Sequence, residues 1–437
     1  LGSITKTVLV IDEAQDMDEN EYALIEALMS RNDDMRVIAV GDDDQNIYEF
    51  RGSDSKFMRS LITQHNAALY EMTENYRSKA NIVAFSNAFV ETIQDRMKMN
   101  PNVAVQDDNG IVELIRYSGT NLEVPIVNQI IKNGITGETC VLTTTNEEAL
   151  KIVGLLYKNG IRATLIQSND GFYLYNLVEI RMFLKYVNKD EKSPVISDAI
   201  WNDAKNKLIT AYANSSCLSL CTRLITDFEE TNSIKYKTDF VEYIRESKIE
   251  DFYGNDNNSI VVSTIHKAKG REFDTVYMLL DNSFSNNDEN KRKIYVGMTR
   301  AKNNLYIHYN TVYLDRFKVE NTIRKTDNNQ YDEPSEITLQ LTHKDVVLNF
   351  FKDKKELIFK LHSGMKLSVN GSFLSAEINN RDINVVKFSK AFEEQIDELQ
   401  RKGYKPTASI IRFVVAWKSE EDEKEYAVIL PDISFVK

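Results

Sequence analysis

The chain has 437 residues, of which 42% are hydrophobic and 10% aromatic, as is typical of a globular protein with about two to four domains. No apolar stretch approaches the ~20 residues that a membrane-spanning helix needs, and no signal-peptide pattern is present, so no membrane partner is expected. The formal net charge of −12 excludes nucleic-acid binding by bulk attraction and leaves binding in a local groove.

The sequence contains three cysteines, Cys140, Cys217 and Cys221. Cys217 and Cys221 are four residues apart on a predicted helix, with no further cysteine or histidine pair near them in the sequence. We therefore interpret them as small core residues rather than as metal ligands. So few cysteines are also typical of a protein in a reducing cytoplasm.

The stretch Val8–Ile11 is an apolar run with the length of a buried strand, and two carboxylates, Asp12 and Glu13, follow it directly. Ligands of open α/β sheets bind at the carboxyl ends of the strands, so these side chains are well placed for chemistry. An aspartate in that position can hold Mg²⁺, and a neighbouring glutamate can activate a water molecule. Taken alone, the pattern fits a surface strand end equally well.

The next segments continue in an order typical of an α/β domain. Met35–Val40 predicts a second buried strand, and Ser78 predicts the N-cap of a helix whose apolar face includes Ile82 and Phe85. The polar, turn-rich segment Pro101–Gly110 indicates a domain boundary, which we place at residue 105.

A second α/β region is predicted over residues 106–174 and 255–316, with Thr275–Leu280 as one of its buried strands. Residues 175–254 show helical periodicity and little strand signal, so we interpret them as a helical insertion. Residues 317–338 are charged and rich in asparagine, which predicts a linker.

Residues 339–437 predict a small α+β module. Thr342 is expected to cap a helix over His343–Phe351, and Asn370-Gly371 is a hairpin signal between two apolar segments. The acidic segment Ser419–Glu423 is expected to be the turn between the last two strands.

Trp417 and the basic residues Arg412 and Lys418 lie on a predicted strand of this module and could contact nucleic acid. A hydrophobic core with solvated charges is the favoured interpretation of the same pattern. Whether the module binds a protein or a nucleic acid is left open.

Five motifs follow one another in the chain, each at the end of a predicted strand or the start of a predicted helix. They are DEAQD (12–16), GDDDQNIYEFRG (41–52), ENYRS (74–78), VSTIHKAKGREF (262–273) and YVGMTRA (295–301). In this order they resemble the motifs of superfamily 1 DNA helicases of the UvrD/Rep type, over roughly residues 5–310.

The resemblance implies an α/β fold with two RecA-like domains of the P-loop-NTPase type. The first, incomplete, would occupy residues 1–105, and the second residues 106–174 and 255–316. The insertion at 175–254 would be a reduced form of the subdomain that engages duplex DNA, and the module at 339–437 would lie beyond the motor.

The resemblance also implies catalytic roles. Asp12 matches the carboxylate that holds Mg²⁺, and Glu13 matches the general base that activates the attacking water. Gln45 matches a glutamine that senses the γ-phosphate of ATP. Arg77 and Arg300 match two arginines that reach the γ-phosphate, where a guanidinium suits a spreading negative charge.

Other matches concern the nucleotide and the DNA. Tyr76 matches an aromatic residue that stacks on adenine, and Gly270 and Glu272 match nucleotide contacts, Glu272 at the ribose. Phe50 matches an aromatic residue, usually tryptophan, on which a DNA base stacks. The neighbouring strand contacts are matched by Tyr48, Arg51, Thr264 and His266.

Simpler interpretations exist for several of these residues outside the motif context. Tyr48 and Phe50 alternate like the face of a strand and could belong to a core. His266 alone would more often be an interior histidine with satisfied hydrogen bonds, and Arg300 could pair with an acidic neighbour. The five motifs together favour the functional interpretation.

The sequence departs from the family in lacking a G-x-x-x-x-G-K-[ST] motif. In the family this phosphate-binding P-loop lies upstream of the DEAQD strand, so we expect this chain to be the C-terminal portion of a helicase. The upstream part of the same polypeptide would then be a partner, and the chain alone would hydrolyse ATP negligibly. The tail from Leu341 resembles those of long bacterial proteins that join a RecQ-like helicase to a UvrD-like one.

The resemblance predicts an ATP- and Mg²⁺-dependent helicase that moves along single-stranded DNA and unwinds duplexes at single-strand/double-strand junctions, 3′ to 5′, in DNA repair or recombination. Its location would be the bacterial cytoplasm, at the nucleoid. The alternative is a non-catalytic DNA-binding or scaffold protein descended from a helicase. A helicase–nuclease subunit is disfavoured, because the tail shows no spaced cluster of carboxylates and lysine.

Overall fold

The computed structural model describes residues 7–32, 34–106, 108–166, 173–189, 193–247, 259–281, 286–358, 360–418 and 425–437. The chain divides into two compact units, a first unit of residues 1–166 and 257–333 and a second unit of residues 167–256 and 334–437. Within the described ranges no helix is long and apolar enough to cross a membrane. The predicted acidic turn Ser419–Glu423 lies outside them.

The first unit begins with a small parallel sheet. β1 (Val8–Ile11) pairs with β2 (Arg36–Ala39), so that Leu9 lies opposite Val37 and Val10 opposite Ile38. Side chains alternate across a strand, and one face therefore packs on α1 (Glu19–Met29) and α2 (Lys56–His65). The other face is exposed, with Val10 62% and Ile38 52% accessible.

A second, larger sheet fills the rest of the first unit. Within the described residues its seven strands run in the order β13-β5-β12-β11-β6-β10-β7, and all pairs are parallel. The strands are β5 (Ile111–Tyr117), β6 (Thr139–Thr143), β7 (Arg162–Ile166), β10 (Ser259–Thr264), β11 (Phe273–Leu280), β12 (Ala301–Tyr309) and β13 (Thr322–Asp327). The chain is thus a mixed α/β protein with a large parallel sheet.

Helices cover both faces of this sheet, as parallel sheets require. Leu114 and Leu142 pack with residues of α3 (Ala80–Val90) and α10 (Asp288–Met298). Their neighbours in the chain, Ile115 and Val141, point the other way and pack with residues of α4 (Glu123–Asn133) and α5 (Asn146–Lys158). The short strands β3 (Glu74–Asn75) and β4 (Val103–Ala104) pair beside α3.

Part of the segment predicted as a linker is a strand instead. β13 pairs in parallel with β5 at the edge of the large sheet, and Lys325 pairs with Glu113 at 2.8 Å. Every residue of β13 is at least partly exposed. Edge strands often carry charges, which oppose pairing with other chains, and these charges led to the linker prediction.

The second unit combines helices with an antiparallel sheet. Its helices are α6 (Val178–Val187), α7 (Asp198–Ala211), α8 (Leu218–Thr231), α9 (Lys237–Glu246), α11 (Lys355–Ile358) and α12 (Lys390–Arg401), and β8 (Val195–Ile196) pairs with β9 (Lys235–Tyr236). The sheet has the order β14-β19-β18-β15-β16-β17. Its strands are β14 (Glu336–Gln340), β15 (Lys366–Asn370), β16 (Phe373–Ile378), β17 (Arg381–Lys387), β18 (Lys405–Lys418) and β19 (Glu425–Val436).

The helical segment and the C-terminal module contact each other directly within this unit. Leu177 forms an isolated antiparallel bridge with Val415, and the backbone N–H of Ser216 donates to the carbonyl of Ser363 at 3.0 Å. Arg181 on α6 pairs with Glu425 at the start of β19. The two regions that the sequence treats separately therefore pack as one body.

The module differs from prediction at Thr342. Its hydroxyl donates to the carboxylate of Asp345 at 2.8 Å, and only a short 3₁₀ turn, Leu348–Phe351, follows. This local turn competes with the expected helix for the same backbone groups, so the helix prediction was wrong. The hairpin at Asn370-Gly371 is confirmed, since it joins β15 and β16.

Arg412 lies half-buried beside Asp432, with Nε 2.9 Å from the carboxylate, and Nη2 donates to the carbonyl of Leu341. Burial, opposed by the charge of Arg412, raises the pKa of Asp432 to about 6. The guanidinium is thus engaged inside the module by Asp432 and Leu341, unlike the solvated charges expected in the core interpretation of this strand.

Candidate nucleotide and DNA site

Asp12 and Glu13 lie exposed where β1 ends. The backbone of Glu13 is in the left-handed region, with φ of 50°, and its N–H donates to the carboxylate of Asp12 at 2.9 Å. The following N–H, of Ala14, donates to the carbonyl of Val40 at the end of β2. A non-glycine residue in this region is uncommon, and such strain concentrates at functional sites.

Gln15 orients the Glu13 carboxylate. Its Nε2 donates to Oε2 of Glu13 at 2.6 Å, and its Oε1 accepts from the N–H of Asp42 at 3.0 Å. A Cβ at Gly41 would lie 2.6 Å from the same Oε1, so only glycine lets the second loop approach. Gln15 stands inside the DEAQD motif, but its type and position alone predicted no role for it.

Gln45 and Arg300, more than 250 residues apart in sequence, meet in the structure. Arg300 Nη2 donates to Gln45 Oε1 at 2.9 Å, while Gln45 Nε2 donates to Asp42 at 2.7 Å. The guanidinium also donates to the carbonyls of Val296 and Arg271 and is only 2% exposed. No acidic partner of Arg300 occurs among the described residues, so the alternative that Arg300 simply pairs with an acidic neighbour is not what the structure shows.

Burial, with a smaller contribution from the positive charge of Arg77, lowers the pKa of Arg300 to about 10. The guanidinium is therefore still charged at neutral pH. A buried cation that lacks a carboxylate partner strongly attracts any anion that reaches it, and a phosphate is such an anion.

Arg77 and Glu272 pair with each other. Arg77 Nε donates to the carboxylate of Glu272 at 2.6 Å, and its Nη1 donates to the carbonyl of Thr299 at 3.2 Å. Burial alone would raise the pKa of Glu272, but the hydrogen bond and charge of Arg77 outweigh it and lower the pKa. Glu272 thus lies beside the phosphate-directed arginine of the resemblance, and neighbouring Gly270 is exposed with φ of +81°.

The Tyr76 ring and the Asp12 carboxylate are both exposed and therefore accessible to a ligand. The ring of Tyr76 is 67% exposed, with its hydroxyl donating to Glu74, and it presents a face on which a base can stack. Asp12 retains oxygen atoms at the exposed strand end, which fit the oxygen ligands that Mg²⁺ prefers.

Three consecutive carboxylates, Asp42 to Asp44, place oxygen atoms within 4.8 Å of one another. Asp44 accepts a bidentate pair from Arg96, at 2.7–2.9 Å, and Asp43 accepts from the N–H of Met97 at 2.7 Å. Burial raises the pKa of Asp44 to about 6 despite Arg96. These partners anchor the loop in place, which accounts for the cluster without a metal.

The residues that the resemblance assigns to DNA form an aromatic group around Phe50, whose side chain is 63% exposed. The His266 ring lies edge-on to Phe50 at 5.7 Å, and the Tyr48 hydroxyl donates to the carbonyl of His266 at 3.2 Å. The Arg51 guanidinium lies 5.5 Å from the Phe50 ring. Thr264, at the end of β10, is buried.

Burial lowers the pKa of His266 to about 4, with Lys293 as the next contributor. The imidazole is therefore neutral at physiological pH and supports Phe50 as an uncharged ring. Its Nε2 is buried and has no hydrogen-bond partner among the described residues. His266 therefore differs from an ordinary interior histidine, whose hydrogen bonds would be satisfied.

Lys269 contacts residues that the resemblance assigns to the nucleotide and to the DNA. Its ammonium contacts Asp16 at 2.5 Å and the carbonyl of Gln45 at 3.0 Å, and it lies 5.0 Å from the Tyr48 ring centre. This lysine lies inside the VSTIHKAKGREF motif, but no role is predicted for it from sequence because only the fold shows what it contacts.

Two family models match the chain. The UvrD-like helicase C-terminal domain matches residues 70–252 and 214–312, and the UvrD/REP helicase N-terminal domain matches residues 5–66. Together they include all five motifs.

Individual relatives agree. The putative ATP-dependent DNA helicase YjcD of Bacillus subtilis (strain 168) is 25% identical over 392 residues, covering 69% of this chain and 51% of that protein. The Gabija protein GajB of Bacillus cereus (strain VD045) is 26% identical over 367 residues, covering 72% of this chain and 68% of that protein. The ATP-dependent DNA helicase Rep of Buchnera aphidicola subsp. Acyrthosiphon pisum (strain APS) is 26% identical, covering 56% and 39%. The chain thus spans about half of YjcD and less of Rep.

Proposed function

Because the chain belongs to the UvrD/Rep type of superfamily 1 DNA helicases, we propose that it forms part of a motor that couples ATP hydrolysis to movement along single-stranded DNA. The observation that carries this proposal is the hydrogen bond between Gln45 and Arg300 beside the exposed carboxylates Asp12 and Glu13. This is the set of groups that phosphoryl transfer to water needs.

Each side chain has a defined task in the proposed reaction. Glu13, held by Gln15, accepts the proton of the attacking water, and Gln45 aligns that water with the γ-phosphate. Arg77 and Arg300 stabilise the negative charge that spreads over the transferred phosphoryl group. Asp12 would hold Mg²⁺, which would supply charge neutralisation at the phosphates.

Coupling to DNA follows from the short distance along the chain between Gln45 and Phe50. A change in the hydrogen bonds of Gln45 on hydrolysis reaches the stacking residue through one loop. Phe50 reads no sequence, because every base offers a π face, and this suits a motor that must move along any strand.

The exposed face of the β1–β2 sheet supports the view that a P-loop-bearing segment completes this site. Val10 and Ile38 are apolar and more than half exposed, although strands of parallel sheets are normally covered on both faces. We propose that the remainder of a RecA-like domain covers this face and brings the phosphate-binding loop next to Asp12 and Glu13. ATP hydrolysis then requires that segment.

A strand-displacement assay tests the proposed function. This chain is joined to the P-loop-bearing half of a UvrD/Rep-type motor domain and supplied with duplexes that carry a 3′ or a 5′ single-stranded tail. We expect ATP-dependent unwinding of the 3′-tailed duplex and its loss in Glu13→Gln, as required for a role in repair or recombination. DNA binding without unwinding of either duplex would instead support the scaffold alternative.

A further inference from the structure

The side chain of Lys269 is 7% exposed and is surrounded by groups from both sides of the site. Its ammonium lies 2.5 Å from Asp16 and 3.7 Å from Glu13, both in the DEAQD motif. The same ammonium donates to the carbonyl of Gln45 at 3.0 Å. One buried cation thus contacts both loops that follow β1 and β2.

A second set of contacts ties this lysine to the aromatic group. The ammonium lies 5.0 Å from the centre of the Tyr48 ring, within the range of a cation–π interaction. The Tyr48 hydroxyl donates to the carbonyl of His266, three residues before Lys269 in the same turn. Tyr48 is therefore held at its ring by Lys269 and at its hydroxyl by His266, which in turn packs against Phe50.

These contacts depend on the charge of the carboxylates. Asp16 has one oxygen on Lys269, while its Oδ1 is buried without a partner among the described residues, so the lysine is its main source of stabilisation. An ammonium has three donors on a flexible stem and can redistribute them when one acceptor changes. If Asp16 or Glu13 changes its position or its hydrogen-bond partner, the position of the ammonium over Tyr48 changes with it.

We propose that Lys269 is a positioning residue that transmits the state of the nucleotide-side carboxylates Asp16 and Glu13 to the base-stacking loop through Tyr48. This inference rests on the proposed function, because it assumes that the aromatic group binds single-stranded DNA. It adds a second connection between the two sides, separate from the chain segment between Gln45 and Phe50.

A double-mutant cycle tests the proposal on this chain as it is. Binding of a fluorescein-labelled oligo-dT of about 20 nucleotides is measured by anisotropy for the parent, Asp16→Asn, Lys269→Met and the double variant. We expect about a tenfold weaker affinity for each single variant and no further loss in the double variant. Independent, multiplicative losses would overturn the proposal.

The salt dependence separates positioning from direct contact. A lysine that contacts a phosphate of a single strand adds about 0.7 to the steepness of log affinity against log salt, so its removal reduces the slope by that amount. We expect Lys269→Met to leave this slope unchanged. A slope reduced by that amount would show a DNA contact and contradict a positioning role.

Two further variants keep the test clear. Lys269→Arg retains the charge and should bind within about threefold of the parent, whereas the exposed control Lys132→Met should bind like the parent. A thermal unfolding curve verifies that each variant is folded. If Lys269→Met does not fold, Lys269→Arg takes its place in the cycle. A large loss of DNA affinity in Lys269→Arg that is not coupled to Asp16→Asn would then overturn the proposal. Failure of the proposed function itself would look different, because Phe50→Ala would then leave binding unchanged.

Discussion

The guanidinium of Arg300 donates to the side-chain amide of Gln45 at 2.9 Å, and the same amide donates to Asp42 at 2.7 Å. The arginine and the glutamine that a γ-phosphate would engage thus satisfy each other. Any anion that binds between them must replace this hydrogen bond, so phosphate binding and the loop that carries Gln45 are mechanically linked.

Replacement of Arg300 by methionine should destabilise the first unit. The carbonyls of Val296 and Arg271 and the amide of Gln45 would lose a buried donor, at a cost of about 2–4 kcal/mol in the free energy of unfolding. Urea unfolding followed by circular dichroism measures it, with exposed Arg31→Met as control. A variant as stable as the parent would show that these hydrogen bonds contribute little.

We expect Phe50 to set the affinity for single-stranded DNA. Removal of one stacking platform costs about 1–3 kcal/mol per base, so Phe50→Ala should bind oligo-dT about 5- to 100-fold more weakly. Tyr70→Ala removes a more exposed aromatic ring that belongs to no motif and should have no effect. Equal losses in both variants would argue against a specific stacking site.

Enlarging the same ring should strengthen binding. Phe50→Trp restores the residue usual in the family and adds stacking area, so we expect a two- to fivefold gain, by an order-of-magnitude estimate from stacking energies. Because Trp201 and Trp417 both belong to the second unit, the new indole would be the first unit's own fluorescence probe. Quenching of its emission by oligo-dT would report stacking directly; unchanged emission at saturating DNA would contradict it.

His308 makes the stability of the first unit depend on pH. It is fully buried, with Nδ1 2.8 Å from the Tyr117 hydroxyl, and burial lowers its pKa to about 3. Below the unfolded pKa of about 6.5 the unfolded chain binds a proton that the native state does not. The stabilisation is therefore complete above pH 6.5 and is lost as the pH falls towards 3.

At pH 5 this loss amounts to about 2 kcal/mol in the free energy of unfolding. His308→Phe removes the titrating group, so the difference in stability between pH 7 and pH 5 should shrink by about that amount. Chemical unfolding at both pH values measures it, with His343→Phe in the second unit as control. An undiminished difference would assign the pH dependence to other groups.

The helical segment and the C-terminal module should unfold together. In a Trp417→Phe background, Trp201 on α7 reports the helical segment alone. Ile429→Ala creates a cavity in β19, about 2–5 kcal/mol of destabilisation, and should lower the denaturant midpoint seen by Trp201. The exposed replacement Ile410→Ala should change it little. If Ile429→Ala left the denaturant midpoint of the Trp201 signal unchanged, the helical segment and the module would be two independent folding units.

The sequence predicted those features that depend on local pattern. Val8–Ile11 is a strand because four apolar residues precede two carboxylates. The hairpin signal at Asn370-Gly371 predicted the turn between β15 and β16, where Asn370 ends β15 and Gly371 adopts a φ of 57° that glycine tolerates. The motif order likewise predicted that Gln45 and Arg300 serve one site, and they are hydrogen-bonded.

Features that depend on partners distant in the chain escaped prediction. β13 looked like a linker because an edge strand can be charged, and the contact of Leu177 with Val415 has no local signal. Lys269 carried no mark in the sequence that separates it from a solvated lysine. Its role becomes visible only where the fold surrounds its ammonium with Asp16, Gln45 and Tyr48.

We propose that this chain supplies the general base, the γ-phosphate-sensing glutamine and the arginines of an ATP-driven DNA motor. Steady-state ATP hydrolysis tests it, measured with and without oligo-dT on this chain alone and on the chain joined to a P-loop-bearing half domain. We predict negligible hydrolysis by the chain alone and DNA-stimulated hydrolysis by the joined protein, abolished in Glu13→Gln. Fast DNA-stimulated hydrolysis by the chain alone, or none by a joined protein that binds DNA, would contradict the account.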